Sequence, residues 1–227
     1  MITRFSEARL PTPNGEFRLV IYRTGQGGGL GATALGTADE EHVAMVYGDI
    51  TGGGVLARVH SSCFTGEVLG SQRCDCRAQL DQALERIAKE GRGVLVYLVQ
   101  EGRGIGLGNK IRAYQLQDQG HDTVDANLAL GFRDDERDYA IAAHMLASLT
   151  ARSVRLLTNN PKKVSQLEKY GITVSGRIPH VIPANEHNRF YLETKANRSG
   201  HFIDFEGKPH VPEQDDAVVV SSDGRPT

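Results

Sequence analysis

The sequence predicts an α/β fold, a mixed sheet with flanking helices, on three observations. Short strand-like apolar runs alternate with segments of helical period, turn and cap residues fall at the junctions, and the pattern sets the early strands antiparallel. Residues 16–22 and 43–47 read as strands, with Asn14-Gly15 a turn before the first. Residues 55–59 make another strand and deliver His60 and Cys63 at its end. From 78 to 90, Leu80, Ala83, Leu84, Ile87 and Ala88 recur at helical spacing, and Gly91 ends the helix. Residues 94–99 form a continuous apolar run, the mark of a buried strand. Helices over 110–117 and 136–149 follow, then a strand over 154–157, and Pro161 opens a helix behind Asn160 as cap. The Gly- and Ala-rich stretch 25–39 reads as a flexible loop; residues 1–205 are expected to form one folded domain and 206–227 a disordered tail.

A chain of 227 residues can bury a substantial core. With 26 Lys+Arg against 28 Asp+Glu, there is no bulk electrostatic case for a nucleic-acid or membrane partner. Residues 1–14 hold no apolar run of the kind a secretory leader needs, and no stretch approaches the length of a membrane span. Three cysteines cannot all pair, which points to a reducing, cytoplasmic setting.

Those three, Cys63, Cys74 and Cys76, cluster within fourteen positions, two of them as Cys-x-Cys. Thiolates so placed can converge on one borderline-soft metal, zinc above all. Three protein ligands leave a position for water, which ionises near neutral pH on zinc, so the cluster points to a hydrolytic centre. The competing reading is of reduced thiols packed side by side as small hydrophobes. His60 is a candidate fourth ligand that would close the site; a lone histidine at the end of a strand is more often hydrogen-bonded, and it is placed outside the ligand set.

Two further segments suit phosphate. After the buried strand, Glu101-Gly102-Arg103-Gly104-Ile105-Gly106-Leu107-Gly108-Asn109-Lys110 alternates glycine with other residues and supplies Arg103 and Lys110, as a backbone cradle running into a helix would. It matches neither the dinucleotide fingerprint nor the P-loop. Thr158-Asn159-Asn160-Pro161-Lys162-Lys163 sets two lysines in a first helical turn, where they oppose the macrodipole unless an anion is present. Solvated surface lysines are the plain alternative. The acids of Asp134-Asp135-Glu136-Arg137-Asp138 are expected at a helix start, where the dipole favours them, with Arg137 held by its neighbours to face a phosphate.

Taken together, RVHSSC with RCDC, QEGRGIGLGNKIRAYQLQDQGHDTVDAN, GFRDDERDY and RLLTNNPKK resemble the GTP cyclohydrolase II family over residues 42–201. The resemblance implies a homodimeric α/β enzyme that takes GTP. Zinc on Cys63, Cys74 and Cys76 would activate water against C8 of guanine, releasing formate. A magnesium-assisted step would release pyrophosphate, leaving 2,5-diamino-6-(5-phosphoribosylamino)pyrimidin-4(3H)-one, the first step of riboflavin biosynthesis. Arg137 matches the family arginine proposed as nucleophile toward the α-phosphate, Asp135 the proton acceptor and Tyr114 the tyrosine near the purine ring. Arg58, Val59, His60, Ser61, Ser62, Gln79, Glu101, Gly102, Arg103, Thr123, Thr158 and Lys163 match GTP-contacting positions. A paralogue that stops at a formylated product and a non-catalytic nucleotide-binding module are the other readings of the same residues. The chain departs from the family at Ser62, where a glutamate is usual, and at Arg77 and Gly108, usually glycine and leucine. The first two departures are expected to make the field around the sulfurs more positive.

Overall fold

The computed structural model describes residues 2–25, 40–133, 135–200 and 202. Nearly all of the glycine-rich stretch and the C-terminal tail therefore lie outside the described residues. Seven strands form one sheet in the order β1-β2-β3-β5-β4-β6-β7. The strands are β1 (Ile2–Thr12), β2 (Gly15–Thr24), β3 (Glu40–Tyr47), β4 (Val55–Ser61), β5 (Gly93–Leu98), β6 (Ser153–Leu157) and β7 (Thr173–Ile178). The pairs β1–β2, β2–β3 and β3–β5 are antiparallel, as the sequence predicts for the early strands, whereas β4–β5, β4–β6 and β6–β7 are parallel.

The helices are α1 (Phe64–Glu67), α2 (Cys76–Glu90), α3 (Gly106–Asp118), α4 (Thr123–Ala129), α5 (Ala140–Ser148), α6 (Pro161–Lys169) and α7 (Arg189–Ser199). Among the described residues no helix is long and apolar enough to cross a membrane. Strand alternation sorts the core into two layers. Val55, Ala57 and Val59 of β4 join Val94, Val96 and Leu98 of β5 beneath Ala142, Met145 and Leu146 of α5. Leu56 and Leu95 face the other way, against Ala83 and Ile87 of α2. The same alternation turns Arg58 and His60 away from the α5 layer. Gly93 admits α2 so closely that a Cβ there would stand 2.7 Å from the Leu56 carbonyl oxygen and 3.0 Å from Ile87.

Several elements differ from the sequence reading. The edge strand β1 is exposed along almost its whole length, so no apolar alternation marks it. Ion pairs from Glu7 to Arg4 and, at 3.0 Å, to Arg18 decorate it instead. β4 runs on to Ser61, which places His60 inside the strand rather than beyond its end. The helix predicted over 136–149 starts at Ala140, so the acidic cluster is not its first turn. Arg137 folds onto Asp135, Tyr139 N–H donates to Gln166 Oε1 at 3.1 Å, and Asp138 Oδ1 accepts from Ala140 N–H at 2.6 Å. Those side-chain bonds hold residues 135–139 out of the helix.

Candidate active site

Because β5, β4 and β6 are parallel neighbours, their carboxyl ends meet on one rim, the place where open α/β sheets gather ligands. A cavity opens there, walled by Arg58 and His60 of β4, Gln100 and Glu101 after β5, and Thr158 after β6. The chain leaving β4 supplies Cys63 before α1, the loop into α2 supplies Cys74, and Cys76 opens that helix. The three sulfurs lie within 4.8 Å of one another, with Cys63 Sγ 3.6 Å from Cys74 Sγ. Metal–sulfur bonds of about 2.3 Å in tetrahedral array space sulfurs about 3.8 Å apart, so this donor set fits a single zinc-like ion.

Gly66 makes the convergence possible: a Cβ at that position would stand 2.7 Å from Cys74 Sγ and 3.3 Å from Cys63 Sγ. Lys110 Nζ reaches Cys63 Sγ at 3.1 Å. Hydrogen bonding from Cys74 and Cys76, with Lys110 beside it, lowers the Cys63 thiol far below its ordinary value. The bond to that thiolate pushes Cys74 up to about 11. His60 stands apart from the sulfurs as a ligand. Its Nε2 is hydrogen-bonded to Glu67 Oε1 at 2.8 Å, and its ring stacks on Tyr97. Arg77 is exposed and pairs with Asp81 at 2.8 Å, so its charge is partly offset along its own helix instead of being turned on the sulfurs. Ser62 Oγ accepts from Gln100 N–H at 3.2 Å.

The glycine-rich segment is a 3-10 turn, Glu101–Gly104, leading straight into α3. Gly102 and Arg103 both have left-handed backbones, with φ of 62° and 60°. For arginine that conformation is strained, and such strain collects at ligand clamps. The Glu101 carboxylate organises the turn. Oε2 accepts from Phe64 N–H at 2.6 Å, while Oε1 accepts from Lys110 Nζ and Gly102 N–H, each at 2.8 Å. The turn and the sulfur-bearing loop are thereby fastened together. Tyr114, one turn along α3 from Lys110, lines the same cavity, and burial pushes its phenol up to about 12.

At the other end of the cavity the side chains are cationic. Arg58 is buried, its Nη1 donating to Leu157 O at 2.8 Å and its Nη2 to Gln79 Oε1. Burial lowers it to about 10. Lys163 is likewise buried on the first turn of α6, Nζ donating to Val59 O at 2.7 Å. Burial first, then Arg58 and Arg137, drive its ammonium well below the ordinary lysine value. Arg137 Nε and Nη2 donate to Asp135 Oδ1 and Oδ2 at 2.8 and 2.7 Å. Burial alone would weaken this guanidinium's charge, but Tyr139 and Asp135 more than reverse the effect. Of the two lysines in the α6 turn, Lys162 is exposed and only Lys163 turns inward.

Most of the residues singled out in the sequence thus wall one cavity, among them Ser61, Gln79, Gly102, Arg103 and Thr123. Val59 contributes only its carbonyl, because its side chain lies in the α5 layer of the core. Asp135 lies outside this cavity and lines a second cleft that shares Arg137 with it. Asp75, His180, Tyr191 and Lys195 also line the main cavity and were not anticipated. Asp75 carried a readable signal, since a carboxylate between two ligand cysteines must find a partner. Lys195 carried none.

His180 is 1% exposed, and its Nε2 lies 2.8 Å from Gln79 O. Burial, with Arg58 next, lowers it to about 3. Between that value and 6.5 the unfolded chain binds a proton that the folded chain refuses, so the native state loses stability as pH falls through this window. His180→Leu is expected to flatten the decline of Tm between pH 6.5 and pH 4, as thermal melts against pH would show. A variant with the wild-type slope would refute this.

Sheet and site together define an α/β enzyme with a thiolate cluster able to hold a metal and a cation-lined cavity beside it. The family model for GTP cyclohydrolase II matches residues 3–179, and the chain belongs to that family. It is 54% identical over 204 residues to GTP cyclohydrolase-2 of Aeromonas hydrophila, covering 89% of this chain and 98% of that one. To GTP cyclohydrolase-2 of Escherichia coli it is 53% identical over 203 residues, 89% and 98% of the two chains. It is also 51% identical over 207 residues to riboflavin biosynthesis protein RibBA of Bacillus subtilis, 90% of this chain and 49% of that one. The match starts at residue 3, so the N-terminal strands left out of the resemblance fall within it.

Proposed function

We propose that the protein hydrolyses GTP at two places, the imidazole ring and the phosphate chain. It opens the imidazole ring with loss of C8 as formate and cleaves the α–β phosphoanhydride to release pyrophosphate. The product is 2,5-diamino-6-(5-phosphoribosylamino)pyrimidin-4(3H)-one, the first intermediate of riboflavin biosynthesis. The observation that carries this reading is one cavity lined both by the three-cysteine cluster and by buried cationic side chains. A purine at the first and a polyphosphate at the second span it.

Cys63, Cys74 and Cys76 would hold zinc. When bound, that ion supplies water activation and polarisation near C8. Tyr114 keeps its proton at neutral pH, because burial raises its phenol, and so can donate it to a ring nitrogen as the C8–N bond breaks. At the cationic end Lys163 is disfavoured as a cation by burial and by Arg58 and Arg137. A phosphate removes that conflict, so triphosphate binding and lysine protonation support each other. Arg137 is fixed by both oxygens of Asp135 and keeps its proton, which suits it to stabilising charge on the α-phosphate more than to attacking it as a nucleophile. Asp135 holds that guanidinium in place and stands ready to accept a proton. Magnesium would enter on the substrate phosphates, and the working form would be a cytoplasmic homodimer.

The test is incubation of the purified protein with GTP, Mg²⁺ and Zn²⁺, with mass spectrometry of the products and a formate assay. Diaminopyrimidine with formate and pyrophosphate is the expected outcome. A formylated pyrimidine, GMP with an intact ring, or unchanged GTP would each overturn it.

A further inference from the structure

We propose that Lys195 of α7 is a positioning residue for the sulfur cluster, acting through Asp75. The proposal rests on the reading that the three cysteines hold a metal. Lys195 lies beyond residue 179, where the family match ends.

Asp75 is the residue between Cys74 and Cys76, and it is buried. Its Oδ2 accepts from Gln79 Nε2 at 2.5 Å. Its Oδ1 is also buried and has no hydrogen-bond partner among the described residues. The Lys195 ammonium stands 3.7 Å from that oxygen, with its side chain 12% exposed. On its other side Lys195 Nζ lies over the Tyr191 ring at 4.3 Å. A buried carboxylate with one unsatisfied oxygen is costly unless a cation offsets it.

The charge balance makes the position consequential. Three thiolates around a divalent ion carry a net negative charge, and Asp75 adds another between two of them. Lys110, at 3.1 Å from Cys63 Sγ, offsets the first; Lys195 offsets the second. Without Lys195, Asp75 repels the adjacent thiolates and the Cys-x-Cys loop loosens. The arrangement also ties distant parts of the chain together. Gln79, which holds Asp75, also receives the Arg58 guanidinium. Arg198, further along α7, pairs with Asp122 and, at 3.0 Å, with Asp125 of α4. Such outer partners of metal ligands orient the ligands and tune their affinity.

The test compares wild type, Lys195→Met, Lys195→Arg and Asp75→Asn as zinc-loaded proteins, following zinc release to a chromogenic chelator. Thermal melts establish that each variant is folded. Lys195→Met is expected to speed release roughly tenfold, within the range for removal of an outer partner. It should also lower kcat while KM for GTP stays within about twofold of wild type, and Lys195→Arg should restore both. Lys195→Met placed on Asp75→Asn should change release little further, since the charge it offsets is gone. Unchanged zinc release in Lys195→Met, or a raised KM as its only effect, would overturn the proposal and make Lys195 a substrate contact or a bystander. A wild-type protein that retains no zinc would sink the metal reading itself. Wild type that holds zinc while Lys195→Met releases it no faster sinks the positioning role alone.

Discussion

Cys74→Ser is expected to strip the protein of its metal and to remove formate release, while leaving GTP bound. Cys74 contributes one of three sulfurs confined within 4.8 Å. A serine hydroxyl is a far poorer ligand for a borderline-soft ion than a thiolate. Two remaining thiolates would bind weakly, and the loss should exceed the roughly 100-fold typical of removing an outer-sphere partner. The cationic side chains of the cavity come from β4, α6 and the segment before α5, and none of them is a sulfur ligand. Pyrophosphate release should therefore persist in part, and mass spectrometry should show a product with its purine ring intact. Metal content by elemental analysis and a formate assay check both halves. Wild-type formate production in this variant would exclude the cluster from ring opening.

Arg137→Ala should show the opposite split. It removes a buried guanidinium whose two nitrogens are fixed on Asp135 at 2.8 and 2.7 Å, and it leaves that carboxylate without its paired cation. Loss of one preorganised charge at a reacting phosphate typically costs on the order of 10²–10³ in kcat. The uncompensated Asp135 charge should raise KM as well. Zinc content is expected to remain at the wild-type level, because Arg137 touches none of the sulfurs. Arg137→Lys should recover little, since an ammonium cannot keep both bonds to one carboxylate. Steady-state pyrophosphate release against GTP concentration, alongside metal analysis, makes the comparison. A variant with wild-type kcat would remove Arg137 from the chemistry.

The parts of this molecule legible in its sequence are those where local chemistry and burial agree. The α2 helix announced itself through the spacing of Ala83 and Ile87 and its glycine stop, and α6 through Asn160 and Pro161. The sulfurs, the strained turn and the lysine pair were visible because each is a compact run of unusual residues. Elsewhere the decisive contact lies far along the chain or faces water. β1 presents a polar edge, so the alternation that betrays a half-buried strand is missing. α5 starts late because Gln166 and Asp138 intercept the backbone donors of residues 139 and 140, and nothing in the window 134–149 reveals Gln166. Val59 sits between two cavity residues in sequence, yet strand alternation sends its side chain into the core. Asp75 and Lys195 meet across 120 positions, beyond any periodicity rule.

The sheet's change from antiparallel to parallel pairing also divides how substitutions can be interpreted. Among the described residues, none before Arg58 lines the main cavity. The strands β1, β2 and β3 thus act as a built-in reference region within the same polypeptide. A substitution there that alters turnover does so through stability or assembly. In a mutational scan, the relation between activity and melting temperature across residues 2–25 and 40–47 therefore supplies a baseline. Residues after 55 that fall below that line are the ones whose loss is chemical.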